Sequence, residues 1–342
     1  MKKVLQLFTL TLFINLFMLC SNVFANDHDI AINESDCFLN LATNSPPDTT
    51  IAELTKACKI REKDDQMVSR FFKEKISENN SFVITPHNQN YILPFTHNDK
   101  PNQRPLKKQD TYPDIDSPIQ HKEAKLQISF KVPLNEQDIF FNNDGVYLGF
   151  TLKSFWQVYN HKLSAPFRET NYRPELFYQA PISSSVFGGS WLARFGIEHE
   201  SNGRSQLLSR SWNRIFIGLG FLKGRWAIYL QPWHRLSENL KEDDGDPNTP
   251  LPPDGDDNPD ISDYLGHYEL LGIYKYDQYQ ITNMVRHNFE KGNGAIELGF
   301  SFPLWGRLRG FVQYFNGYGE SMIDYNHKVQ RIGLGILLTD LL

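Results

Sequence analysis

From Lys125 onward the chain alternates between greasy and polar positions. Leu126, Ile128, Phe130 and Val132 interleave with Lys125, Gln127, Ser129 and Lys131, giving a strand with one apolar and one polar face. Similar period-two segments recur at 145–157, 174–182, 190–201, 211–222, 225–236, 261–276, 278–289, 295–303, 308–317 and 329–341, and a short one runs from Asn90 to Phe95. Together they make twelve strands, an even number that lets a barrel close with both termini on one side. Connection lengths follow the same alternation. Lys223-Gly224, Asp277 and Leu304-Trp305-Gly306 are tight turns on one side of the series, whereas 96–124, 158–173, 202–210, 237–260 and 318–328 are long stretches on the other. Short periplasmic turns opposite long outer loops are the habit of outer-membrane barrels. The expected fold is therefore all-β, a twelve-stranded antiparallel transmembrane β-barrel.

Upstream the period is helical. Ile51, Leu54, Ala57 and Cys58 recur at helix spacing, so 26–81 is read as a small, partly helical periplasmic extension and 82–342 as the barrel domain. The first 25 residues read as a signal peptide: a basic Met1-Lys2-Lys3, an apolar run from Val4 to Cys20, and the cleavage pattern Val23-Phe24-Ala25. Cleavage would remove Cys20, and in an oxidising compartment the remaining Cys37 and Cys58 most simply form one disulfide.

Composition narrows the class further. With 25 Phe, 15 Tyr, 6 Trp and 22 Gly the chain is aromatic, yet beyond the signal it has no apolar run long enough for a spanning helix. A secreted β-sandwich shares this composition, but the loop alternation favours a barrel. Net charge is only −5 and no basic patch stands out, so no nucleic-acid partner is expected.

Three polar residues break the apolar face. Trp191, Ala193, Phe195, Ile197, His199 and Ser201 share one side of their strand, with Arg194, Glu198 and Glu200 on the other. On the next strand Asn213 is in phase with Ile215, Ile217, Leu219 and Phe221. His199 and Ser201 would lie about 7 Å apart along one face. A hairpin centred on residue 206 would set Asn213 opposite His199, with Cα atoms roughly 5 Å apart. An isolated His-x-Ser pair near a strand end reads most simply as interfacial polarity. Adding Asn213 completes a nucleophile (Ser201), a general base (His199) and an orienting amide (Asn213). Gly203, just past the nucleophile, can turn a backbone N–H toward a developing oxyanion.

These residues carry a resemblance. His199-x-Ser201-Asn202-Gly203-Arg204-Ser205, then Ser209-Arg210-Ser211-Trp212-Asn213-Arg214, is similar to the outer membrane phospholipase A family. Phe167-Arg168-Glu169-Thr170-Asn171-Tyr172 and the run from Gly317 to Asn326 match it too, and the likeness extends from about Phe82 onward. The resemblance implies an outer-membrane enzyme that hydrolyses acyl esters of glycerophospholipids as a calcium-dependent phospholipase A1/A2 and lysophospholipase, activated by homodimerisation. It assigns Ser201, His199 and Asn213 to the triad and the Gly203 amide to the oxyanion hole. It assigns calcium to the Ser209 hydroxyl and the Arg204 carbonyl, with Ser164 supplied by the other subunit. The sequence departs from the family at several points. Leu152 replaces a polar interface residue, Gln206 replaces an acidic residue that would share a second calcium site with Asp257, and Leu342 stands in place of a terminal Phe. The extension and the acidic loop from Glu238 to Asp260 are longer. Two other readings stay open: an acyl-ester hydrolase acting on lipid A, and a non-catalytic structural barrel or pore.

Overall fold

The computed structural model describes residues 84–107, 118–182, 186–241, 252, 254–306 and 308–339. The signal peptide, the 26–81 extension with Cys37 and Cys58, Leu342 and the Gln206 side chain lie outside the described residues. Among the described residues there are thirteen strands: β1 (Thr85–Pro86), β2 (Asn90–Asn98), β3 (Lys122–Pro133), β4 (Gly145–Trp156), β5 (Glu169–Ile182), β6 (Ser190–Ser201), β7 (Ser211–Lys223), β8 (Trp226–Leu236), β9 (Tyr268–Tyr276), β10 (Tyr279–Asn288), β11 (Asn293–Trp305), β12 (Leu308–Gly317) and β13 (Val329–Thr339). Among the described residues, two short α-helices, α1 (Arg104–Lys107) and α2 (Ile261–Leu265), sit in loops. Strands β2 to β13 pair antiparallel with their sequence neighbours, and β13 returns to β2, so the twelve-stranded ring is closed. β1 is the strand outside this ring; it extends the line of β2 along β3 by two residue pairs.

Alternation expresses itself as an inside-out barrel. Lys125, Ser129 and Lys131 are buried in the lumen, whereas Ile128, Phe195 and Ile197 are half exposed on the outer wall. The lumen is filled by paired charges. Lys125 Nζ reaches Gln313 at 2.7 Å and Glu320 at 3.0 Å, and Arg331 binds Glu320 at 2.8 Å and Glu123 at 2.7 Å. Arg168 binds Glu123 and Asp324 at 2.9 and 3.0 Å. Charges held this way satisfy one another, as buried charges must. At the end opposite the long loops, His87 turns inward, stacks on Phe177 and pairs with Glu175 at 2.9 Å.

Two boundaries differ from the sequence reading. The segment 261–276 is not one strand: Ile261–Leu265 is helical and the strand begins at Tyr268. Ile261 and Leu265, one helical turn apart, pack with Trp212, Trp233, Met322 and Tyr325 into a core at the barrel mouth. Gly266, at φ 72°, ends the helix in a conformation that favours glycine. The second difference is length. β5 starts at Glu169 rather than 174, and β2 runs on to Asn98, because strands continue past the hydrocarbon layer, where outward positions need not be apolar.

Candidate functional site

Strands β6 and β7 place the three polar residues. Their hairpin pairs His199 with Asn213 and Ser201 with Ser211. Beneath, on the lumen face, Glu198 pairs with Arg214 and accepts from Arg173 at 2.8 Å. Glu200 accepts from the Trp212 indole at 3.0 Å and from Arg214 at 3.1 Å. Arg214 in turn lies 3.8 Å over the fully buried Trp212 ring. Each lumen neighbour is locked, which fixes the strand register that the outer face depends on.

On the outer face, His199 Nδ1 and Asn213 Oδ1 are 2.9 Å apart. With Oδ1 as acceptor, Nδ1 carries the proton and Nε2 holds the free lone pair. Ser201 follows two residues along the same face; among the described residues its hydroxyl makes no hydrogen bond to His199. Nucleophile–base hydrogen bonds of this kind often close only when substrate is bound.

The loop that follows Ser201 is organised by Asn202, which sequence reading gave no role. Its side chain is buried; Oδ1 accepts from the Arg204 and Arg210 backbone N–H groups at 3.2 and 3.0 Å, and Nδ2 donates to the Leu208 carbonyl at 2.8 Å. Gly203, at φ 61°, takes a left-handed conformation beside this anchor. The Arg204 guanidinium donates to the Phe167 and Arg168 carbonyls at 3.0 and 2.7 Å, tying the loop to the β4–β5 connection that carries Ser164. The Ser164 carbonyl accepts from the Trp156 indole at 2.8 Å.

Ser209 lies nearby, and its hydroxyl donates to Asp257 Oδ2 at 2.6 Å. Hydroxyl, carbonyl and carboxylate oxygens are the hard donors that calcium prefers, so the residues around Ser209 fit such an ion. Asp257 is not a bare ligand, however: Lys241 Nζ sits 2.6 Å from its Oδ1. Sequence reading also missed Glu238, whose Oε1 accepts from Asn213 Nδ2 at 2.7 Å. Its signal was faint, a single carboxylate two residues past the end of β8 in a run of polar residues.

Fold and site define an integral outer-membrane β-barrel of bacteria with a Ser-His-Asn constellation on its outer wall. A family model described as Phospholipase A1 matches residues 67–338. A putative phospholipase A1 of Neisseria meningitidis serogroup B is 38% identical over 269 residues, covering 75% of this chain and 66% of that protein. Phospholipase A1 of Klebsiella pneumoniae is 35% identical over 265 residues, covering 77% and 84%. Among solved structures, outer membrane phospholipase A from Escherichia coli superposes with a TM-score of 0.67 at 33% identity, covering 77% of this chain and 94% of that one. A Salmonella typhi outer membrane phospholipase, described as a dimer with bound calcium, gives 0.68 at 32% identity, covering 78% and 97%. The chain belongs to the phospholipase A1 family. It is a carboxylic ester hydrolase of phospholipids, resident in the outer membrane.

Proposed function

We propose that Ser201, His199 and Asn213 hydrolyse acyl esters of glycerophospholipids at the lipid-facing wall, in a calcium-dependent homodimer with phospholipase A1/A2 and lysophospholipase activity. The observation that carries the reading is the His199–Asn213 contact at 2.9 Å, made on a face otherwise built from Phe195, Ile197, Ile215 and Ile217. Polar groups facing hydrocarbon cost free energy unless they have a task or a partner.

The chemistry follows from the roles. Ser201 Oγ bonds to the acyl carbonyl carbon as its proton passes to His199 Nε2. The bond from that carbon to the glycerol oxygen then breaks, and the leaving oxygen takes the proton from His199. Water, deprotonated by the same Nε2, attacks the acyl-serine, releasing fatty acid and restoring Ser201. Asn213 Oδ1 holds Nδ1–H throughout and keeps the tautomer. The Gly203 N–H stabilises the oxyanion, a contribution of about 3 kcal/mol per donor in enzymes of this kind.

Calcium, when bound, supplies positive charge near that oxyanion. The Ser209 hydroxyl and the Arg204 carbonyl would hold it, completed by Ser164 of the partner subunit. Two oxygens from one chain are few against the six to eight that calcium takes, which is the reason for a split site and for activation by pairing. The calcium-bound dimer of the Salmonella relative supports this reading. Fatty-acid release from phosphatidylethanolamine micelles by purified, refolded protein tests it. The expected result is hydrolysis that needs calcium and disappears in Ser201→Ala; hydrolysis by Ser201→Ala at the parent rate would overturn it.

A further inference from the structure

The Asn213 amide has two ends, and the function proposed above uses only one. Oδ1 faces His199 Nδ1 at 2.9 Å, while Nδ2 donates to Glu238 Oε1 at 2.7 Å. An unrestrained amide can rotate by half a turn and exchange the two. In the exchanged state Nδ2 would meet His199 Nδ1, which would then have to be the unprotonated nitrogen. The proton would move to Nε2, and His199 could no longer accept one from Ser201. A carboxylate only accepts, so Glu238 is satisfied by one of the two amide orientations and repelled by the other.

Glu238 reaches this position through strand register. Asn213 pairs with Leu236 across β7 and β8. Two residues beyond Leu236, Glu238 continues along the same outward face, diagonal to Asn213. The polar row thus crosses three adjacent segments, from His199 through Asn213 to Glu238. The chain just past Glu238 is fastened on the other side. Asn239 accepts from the Asp256 backbone N–H at 2.7 Å, and Leu240 bridges Asp256 in parallel. Lys241 binds Asp257 at 2.6 Å, and Arg235 Nη2 donates to both carboxylate oxygens of Asp256 at 2.6 and 2.7 Å. A carboxylate on a strap held at four points can act on geometry, which one on a free loop tip cannot.

We infer that Glu238 is a positioning residue: by accepting from Asn213 Nδ2 it selects the amide orientation, and hence the His199 tautomer, needed for hydrolysis. The inference rests on the triad proposed above, and the experiment separates the two. Hydrolysis of phosphatidylethanolamine in mixed micelles at saturating calcium is measured for the full refolded chain and for Glu238→Ala, Glu238→Gln, Ser201→Ala and His199→Ala. Heat-modifiable gel mobility reports the folded barrel. In Glu238→Ala, kcat should fall about tenfold, with KM changed less than about twofold, because the lost interaction orients the base and does not touch substrate. Glu238→Gln should recover kcat to within about threefold, since its amide oxygen still accepts from Asn213 Nδ2. Parent-like kcat in a folded Glu238→Ala barrel overturns the inference, and so does a loss that Glu238→Gln fails to rescue. A rise in KM alone also overturns it. Those results leave the triad standing as long as Ser201→Ala and His199→Ala are inactive. Activity in those two variants would instead remove the triad itself.

Discussion

Lys241 Nζ lies 2.6 Å from Asp257 Oδ1, while the other oxygen of that carboxylate accepts from the Ser209 hydroxyl at 2.6 Å. A resident cation therefore already sits one residue away from a proposed calcium ligand. The ammonium opposes a second positive charge nearby and competes for Asp257. Lys241→Ala should lower the calcium concentration for half-maximal activity, by about three- to fivefold given the modest worth of a partly exposed pair. Asp257→Ala should raise it. Calcium titration followed by terbium luminescence, beside the activity curve, measures both; a calcium requirement unmoved by Lys241→Ala would separate Lys241 from the ion.

His199→Ala removes the only proton acceptor proposed for Ser201, so hydrolysis should drop by about a thousandfold or more. Asn213→Ala should be milder, because the imidazole loses its orienter but keeps its lone pair. Single-turnover rates on a chromogenic thioester phospholipid rank the two. Heat-modifiable mobility should be unchanged in both, since His199 and Asn213 lie on the outer wall, away from the lumen contacts that hold the register.

A calcium site split between subunits, as proposed, would tie oligomer to activity. Chelator added before cross-linking should abolish the cross-linked dimer and hydrolysis together, and Ser209→Ala should raise the calcium required for both. Ser164→Ala should weaken calcium-dependent pairing only to the extent that its side chain, rather than its carbonyl, is the ligand. Analytical ultracentrifugation in detergent, run beside the assay, gives the comparison; a fully active monomer in chelator would end the split-site reading.

Asp144 closes the β3–β4 connection at the end opposite the site. Its carboxylate accepts from the Ile139, Phe140 and Phe141 N–H groups at 2.7, 2.7 and 2.9 Å and from the Tyr178 hydroxyl at 2.6 Å. Burial works against its charge, but the Tyr178 hydroxyl and the three N–H groups outweigh it and hold its pKa below the usual value. A depressed folded-state pKa means stability that is present above the unfolded-state value and lost as pH falls through the folded one. The barrel should therefore lose stability to urea on acidification below about pH 4. Asp144→Asn should flatten that dependence and cost about 2 kcal/mol at neutral pH. Equilibrium unfolding in detergent at several pH values checks the slope.

How much of this was legible in the sequence depended on how local each fact is. Side-chain direction in a strand repeats every two residues, so the outward phase of His199, Ser201 and Asn213 needed only the alternation around them. A hairpin symmetric about residue 206 sets its own register, so the pairing of His199 with Asn213 was readable from the distance between them. The sequence likewise determined the twelve-stranded ring and the side of each long loop, because closure and connection length are properties of the chain order. It misread 261–265, where Ile261 and Leu265 sit one helical turn apart but became helix only because a core formed by Trp212, Trp233 and Met322 was there to receive them. It also could not see Glu238, Lys241 or Asn202. Each acts on a partner across a loop whose path is set by side-chain hydrogen bonds, such as those that Asn202 accepts from the Arg210 N–H and that Asp256 accepts from Arg235. Such contacts have no period and no fixed separation. They exist only once the barrel has brought the ends of β6, β7 and β8 together at one rim.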